Sequence, residues 1–315
     1  MIRLHTNNDA ADEHYKIVKP LVKEWIKKVI DRGYVFFDGQ RRHLSPELET
    51  YLESMQQGDD GLRALICAHP GSFEGIIDYM QEHHPGSMED GHPDNIILKN
   101  IFISHAYEDT KNFIKLDFIK RIQLDTCPYC NRSYIYYIDN GKIKPQIDHF
   151  YPQSTFPFFG VSFYNLIPCC LTCNGLGVKA QNDPRKIGIK NPYLIENDQF
   201  QFTFEVKDIK FLNPLADKES IEIRFRQAIR GHLSAFGLGK LYEQHTDHVL
   251  ELIIKSKVAY SPKYREYLRN YPGFNLSDKE IDRLLLGNYS EVDDVHKRPL
   301  AKLYQDIGRK LKLID

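Results

Sequence analysis

Apolar residues recur with helical spacing toward both ends of this 315-residue chain and with strand spacing in its middle. Over residues 12 to 31, Ile17, Leu21, Val22, Trp25, Ile26, Val29 and Ile30 share one broad face, which predicts an amphipathic helix. Pro20 lies inside that pattern and marks a kink or a late start; Gly33 stands where a C-cap belongs. Ser45-Pro46 offers an N-cap followed by proline at the first helical position, opening a helix through about Gln57. Two shorter helices fit 60–68 and 72–83, and the polar run His83 to Pro93 reads as a loop. Residues 108–123 mix Lys111, Lys115, Lys120 and Arg121 with Phe113, Ile114, Phe118 and Ile119, predicting a further helix. Its basic face is either a phosphate contact or an ordinary solvated surface. Strict alternation at 200–206 and 221–225 predicts two strands. From about 238 the period is helical again. One long helix is expected through Leu241, His245, His248, Val249, Leu252 and Ile253, followed by 260–270, 277–287 and 298–312.

The region 127–183 carries more than periodicity. Cys127-Pro-Tyr-Cys130 and Cys170-Leu-Thr-Cys173 form two knuckles, each with two thiolates close enough to bind one metal. Together they supply the four soft ligands of a closed structural zinc site. Cys169 is a competitor for the place of Cys170, but only Cys170 reproduces the spacing of the first knuckle. Between the knuckles, Tyr134 to Ile138 and Lys142 to Ile147 read as the arms of a hairpin turned at Asp139-Asn140-Gly141. Asp148-His149, Asn165 and Asn174 follow. A metal-assisted hydrolytic centre needs a base for the attacking water and a cation for the charge on the leaving oxygen. Imidazole is available in its neutral form near pH 7, and Asp148 and Asn174 offer the hard oxygens that Mg²⁺ prefers.

The order of these parts resembles the HNH endonucleases, the ββα-metal nucleases, in a zinc-stapled form: CxxC, a hairpin ending in Asp-His, Asn-Leu-x-Pro, then Cys-x-x-Cys-Asn. Within that family it is most similar to HNH nuclease subunits of bacterial anti-phage systems such as Septu. The resemblance covers residues 127–183; Leu241-Tyr242-x-x-His245 and Arg298-Pro299-Leu300 in the tail are similar more weakly. It implies His149 as general base, Asp148 and Asn174 as ligands of catalytic Mg²⁺ or Mn²⁺, and Asn165 as the residue that orients the base and ties the loop. It further implies a DNA substrate, a role in phage defence and an ATPase partner subunit. Many family members carry His at the last position, where this chain has Asn174. The family also usually places a lysine three residues on, and here Lys179 comes later, as a candidate phosphate contact.

Composition narrows the class. The formal net charge is −1 at pH 7, which argues against broad coating of DNA and leaves phosphate contact local or delegated to a partner. No apolar run approaches the length of a membrane span, no secretory signal is visible, and six cysteines with four in knuckles fit a reducing cytoplasm. Cys67 reads as a buried thiol in a helix; the histidines at 83, 84, 92, 245 and 248 read as structural or solvated residues. There is no phosphate-binding glycine loop, so no ATP-driven function of the chain's own is expected. The sequence thus predicts an α+β protein in three blocks: a helical region 1–110, an HNH core with zinc knuckles at 111–190, and short strands followed by helices at 191–315. The other readings are a zinc-stabilised DNA-binding or adaptor module without turnover, and an RNA nuclease. Homo-oligomeric state is left open.

Overall fold

The computed structural model describes residues 1–138, 145–175, 178–179, 181–208, 218–259 and 262–314. The fold is α+β, mostly helical, with three separate two-stranded antiparallel sheets among the described residues. The chain forms two compact units, one of residues 5–123 and 137–187, the other of residues 1–4, 124–136 and 188–315. The grouping is not contiguous in sequence, whereas the blocks 1–110, 111–190 and 191–315 follow sequence order alone.

In the first unit, α1 spans Asn8–Arg32. It begins earlier than its apolar pattern because the Asn7 side chain accepts from Ala10 N, and it ends at Gly33, whose φ of 71° suits the left-handed cap. Pro20 is carried inside the helix on its exposed side. β1 (Tyr34–Phe37) and β2 (Gln40–His43) pair as a hairpin around Asp38-Gly39. Both turn residues have positive φ, as a type I′ hairpin turn requires. α2 (Pro46–Gln57) is capped by the Ser45 side chain on Leu48 N. α3 (Asp60–Ile66) and α4 (Phe73–His83) follow. α5 (Pro93–Leu98) continues into a π-helical stretch, Lys99–Tyr107. α6 begins only at Lys115 and runs to Ile122; before it, Asp109 Oδ1 accepts from Lys111 N and Asn112 N and holds a turn.

β3 (Gln146–His149) pairs antiparallel with β4 (Leu166–Cys169), and α7 (Leu171–Asn174) follows at once. This corrects the expected hairpin. The strand bearing Asp148 takes Leu166–Cys169 as its partner, while Ile135 to Ile138 form no strand and Tyr134 makes a single bridge to Thr126. The turn at 139–141 and residues 142–144 lie outside the described residues. The physical reason lies in the connection between β3 and β4. Phe150, Phe156, Phe158, Phe159 and Phe163 are all fully buried, so the segment joining the strands is core rather than surface loop. Its aromatic burial fixes the pairing of the strands on either side. α8 (Pro184–Ile187) closes this unit.

In the second unit, β5 (Gln201–Val206) pairs with β6 (Ile221–Gln227) as the alternation predicts. Helices α9 (Arg230–Phe236), α10 (Leu238–Glu243), α11 (Thr246–Ile254), α12 (Pro262–Arg269), α13 (Asp278–Leu286) and α14 (Ala301–Lys310) follow. The single long helix expected after 238 is in fact α10 and α11, broken at Gln244 and His245. The break turns two side chains to the same short segment: the Tyr242 hydroxyl donates to Cys130 O at 2.7 Å, and Arg132 Nε donates to His245 Nε2 at 2.9 Å.

Candidate active site

The four Sγ atoms of Cys127, Cys130, Cys170 and Cys173 lie within 4.8 Å of one another, and all four residues are buried. A tetrahedral zinc with bonds of about 2.3 Å separates its sulfurs by about 3.8 Å, so the set stands close enough to bind one zinc ion. Cys170 rather than Cys169 belongs to the cluster, as the spacing predicts. Cys169 lies one residue earlier on β4, where burial, and then Asp148, push its thiol well above the ordinary range.

The first knuckle is built from a turn that closes on itself. Asn131 N donates to Cys127 O at 2.7 Å, Cys127 N to Ser133 O at 3.0 Å, and Arg132 N to Cys130 Sγ at 3.4 Å. Asn131 takes φ 49° and is wholly buried. Its Nδ2 donates to Thr126 Oγ1 and Val295 O, each at 3.0 Å, and its Oδ1 accepts from Lys302 N at 3.0 Å. Leu300 N donates to Asn131 O at 2.6 Å. Thus Tyr242, His245 and Leu300 from the two tail phrases all hold residues 130–132.

The second centre starts from β3. Asp148 and His149 are neighbours that a regular strand would point to opposite faces. The strand ends at His149, and both residues, with Asn174, line one cavity of about 180 Å³. Beyond the strand, Phe150 N donates to Asn165 O at 2.8 Å and Tyr151 N to Asn165 Oδ1 at 2.7 Å. Asn165 Nδ2 donates to Tyr151 O and Phe159 O. Asn165 therefore ties the aromatic segment at both ends and reaches His149 only through it. Asn174 is the last residue of α7, whose single turn is closed by Cys173 N and Asn174 N on Cys170 O.

The His149 ring is held by backbone: Nε2 lies 2.9 Å from Gly160 O. A carbonyl can only accept, so Nε2 carries the proton and Nδ1 keeps the lone pair. Tyr107 packs edge-on to the imidazole with centroids 4.5 Å apart. Burial pushes His149 down to about 4, against the opposing pull of Gly160 and Asp148, so the ring is neutral at pH 7. Gly160 is tightly enclosed; a Cβ there would have to displace the tip of the Ile103 side chain and would come within 3.0 and 3.1 Å of Pro157 O and Phe102 O. The next carbonyl, Val161 O, accepts from His14 Nε2 at 2.7 Å. Adjacent peptides are thus each gripped by a buried or half-buried histidine.

Lys179, read from the sequence as a phosphate contact, has another place. It is fully buried, with Nζ 3.0 Å from Asp148 Oδ1, 2.9 Å from Asp148 Oδ2 and 2.9 Å from His149 O. The donor set still suits a hard cation, since Asp148 and Asn174 bring oxygen-bearing side chains to one cavity. Such a cation would share the Asp148 carboxylate with the ammonium. Sequence reading missed Gln153, which lines the same cavity and keeps Oε1 buried without a hydrogen-bond partner among the described residues. It stands in the short polar run Gln153-Ser154-Thr155 of an otherwise aromatic segment, which by itself gave no signal. The histidines at 83, 84, 92, 245 and 248 join no metal cluster among the described residues.

Compared with known proteins, the chain is 30% identical over 104 residues to a Septu protein, PtuB, of Bacillus thuringiensis. The match covers 32% of this chain and 38% of that relative's length. No family model matches the chain. No solved structure matches it. No helix among the described residues is long and apolar enough to cross a membrane.

Proposed function

We propose that the chain is a metal-dependent HNH endonuclease that hydrolyses DNA, serving as the nuclease effector of a Septu-like anti-phage system in the cytoplasm. The observation that carries this reading is that Asp148, His149 and Asn174 line one cavity while His149 presents an unprotonated Nδ1. His149 accepts the proton of the attacking water at Nδ1, and the Gly160 carbonyl steadies the imidazolium that forms. Asp148 and Asn174 would hold Mg²⁺ or Mn²⁺, which supplies charge stabilisation at the leaving oxygen when bound. Asn165 fixes the segment that carries Gly160, so its effect on the base is indirect. Zinc on the four cysteines is scaffold, because sulfur fills its coordination and leaves no position for substrate. Partial similarity to the Septu protein supports the defence setting and, with it, docking to an ATPase subunit; a net charge near zero agrees with DNA grip delegated to that partner.

One observation favours a second reading, a zinc-stabilised DNA-binding or adaptor module without turnover: the Lys179 ammonium already neutralises Asp148. Plasmid incubation with Mg²⁺, Mn²⁺ or EDTA separates the two. The nuclease reading expects metal-dependent nicking or cutting that EDTA abolishes. Duplex binding without cleavage under every metal condition would favour the module.

A further inference from the structure

Far from both cysteines and catalytic candidates in sequence, α1, the β1–β2 hairpin and the π-helical stretch Lys99–Tyr107 enclose a second cavity of about 430 Å³. That volume is within the range of small-molecule sites. Its lining has two kinds of surface. One is aromatic: Trp25 and His105 stack with centroids 3.3 Å apart and 5° between planes, and Tyr34 and Phe36 stand edge to face on the hairpin. Phe36 is 62% exposed, so its ring is open to a ligand in the cavity. The other is cationic. Lys28 and Arg32 line the cavity, and among the described residues no carboxylate does. Lys28 is 4.2 Å above the Trp25 ring and pairs with Glu24, whereas Arg32 makes no ion pair among the described residues. Arg41 lies 4.7 Å over Tyr34. Asn100 adds a polar element: it lines the cavity, and its Oδ1 is buried with no hydrogen-bond partner among the described residues.

We propose that this cavity binds a nucleotide. The aromatic surface receives the flat base, Arg32 and Lys28 receive the phosphate, and Asn100 Oδ1 accepts a hydrogen bond from an exocyclic amine. Each part of the lining selects against simpler occupants. Inorganic phosphate has no use for the rings, and an apolar side chain has none for two cations and an unmet acceptor. The base and phosphate are the same chemistry whether they belong to a free nucleotide or to an unpaired nucleotide of a strand. The proposal does not depend on the nuclease reading.

Trp25 is the chain's single tryptophan, so intrinsic fluorescence reports on this cavity directly. The full-length protein is titrated with AMP, with UMP (which lacks an exocyclic amine), with inorganic phosphate and with a short single-stranded oligonucleotide. A saturable change with AMP, weaker with UMP and weakest with phosphate, supports a free nucleotide as ligand. A change with the oligonucleotide alone supports a strand as its source. Arg32→Glu and Asn100→Leu should each weaken binding by about tenfold or more, with unchanged circular dichroism. No saturable change with any probe at millimolar concentration, or full affinity in both variants, overturns the proposal.

Discussion

The surroundings of Asn131 and the cavity at Asp148 handle buried polar groups in opposite ways. Around Asn131 the side-chain oxygen and amide are both engaged, and Thr126 passes the chain of contacts on to His296 O at 2.8 Å. At the cavity, Gln153 Oε1 has no partner among the described residues, the hydrogen bond of His149 to Gly160 is made by Nε2 and leaves Nδ1 its lone pair, and Asp148 pairs with the Lys179 ammonium. A closed network of this kind stabilises one conformation and offers nothing to a ligand. Unmet donors and acceptors at a cavity are retained at a cost to stability, which points to chemistry there. The difference agrees with the proposed division into a structural polar cluster and a reactive one, without reference to any motif.

The largest break in that contrast should come from the metal cluster. Cys170→Ser is expected to lose zinc by elemental analysis and to lower stability by roughly 10 kcal/mol, the scale of structural zinc in small modules. Well-folded wild-type protein without zinc would refute the assignment. Next, His149→Ala should cut single-turnover cleavage by about 10²–10⁴-fold while leaving zinc content and melting temperature near wild type. Wild-type rates in that variant would mean a different centre or a contaminating nuclease.

Asn131→Ala should do the reverse. It strands Lys302 N and Val295 O and places alanine at positive φ, a destabilisation of about 3–4 kcal/mol, with the single-turnover rate of folded protein unchanged. Thermal melts at matched metal content test it. The smallest effect is acid lability from His14. Burial among Phe113, Phe118 and Phe163 pushes that imidazole down to about 4, and Nδ1 has no hydrogen-bond partner among the described residues. Above pH ~6.5 neither folded nor unfolded chain protonates there. Between ~6.5 and about 4 only the unfolded chain takes the proton, so stability falls as pH falls, by up to about 3 kcal/mol. Melting temperatures across that window should flatten by His14's share in His14→Gln; an unchanged slope would refute the assignment.

The parts legible in the sequence are those fixed by local rules. Ser45-Pro46 set the start of α2, Gly33 ended α1, the alternation at 200–206 and 221–225 gave a true strand pair, and C-x-x-C spacing selected Cys170 over Cys169. What was not legible depends on long-range packing. Residues 93–107 are helical and largely buried, with polar residues such as Asp94, Asn95 and Asn100 scattered among the apolar ones, so no amphipathic period advertises them. The Asp38-Gly39 turn was a local signal, but its return strand Gln40–His43 is too polar to read as one. The partner of β3 was misassigned because the aromatic segment 150–165 looks like a loop in sequence and is buried in the fold. Lys179 illustrates the same limit for the site, since sequence spacing says nothing about whether an ammonium faces solvent or a carboxylate.

Gly160 has a consequence for how this centre tolerates change. The atom that sets the protonation pattern of His149 is a main-chain oxygen, and the residue supplying it is tightly enclosed by Ile103, Pro157 and Phe102. No substitution can retune that hydrogen bond by altering a functional group; it can only displace the peptide. Gln153 and Gln181, on the rim of the same cavity, carry no such restriction. In a randomised library, position 160 should therefore accept mainly glycine, while positions 153 and 181 stay open to variants that reshape the cavity around an unaltered His149.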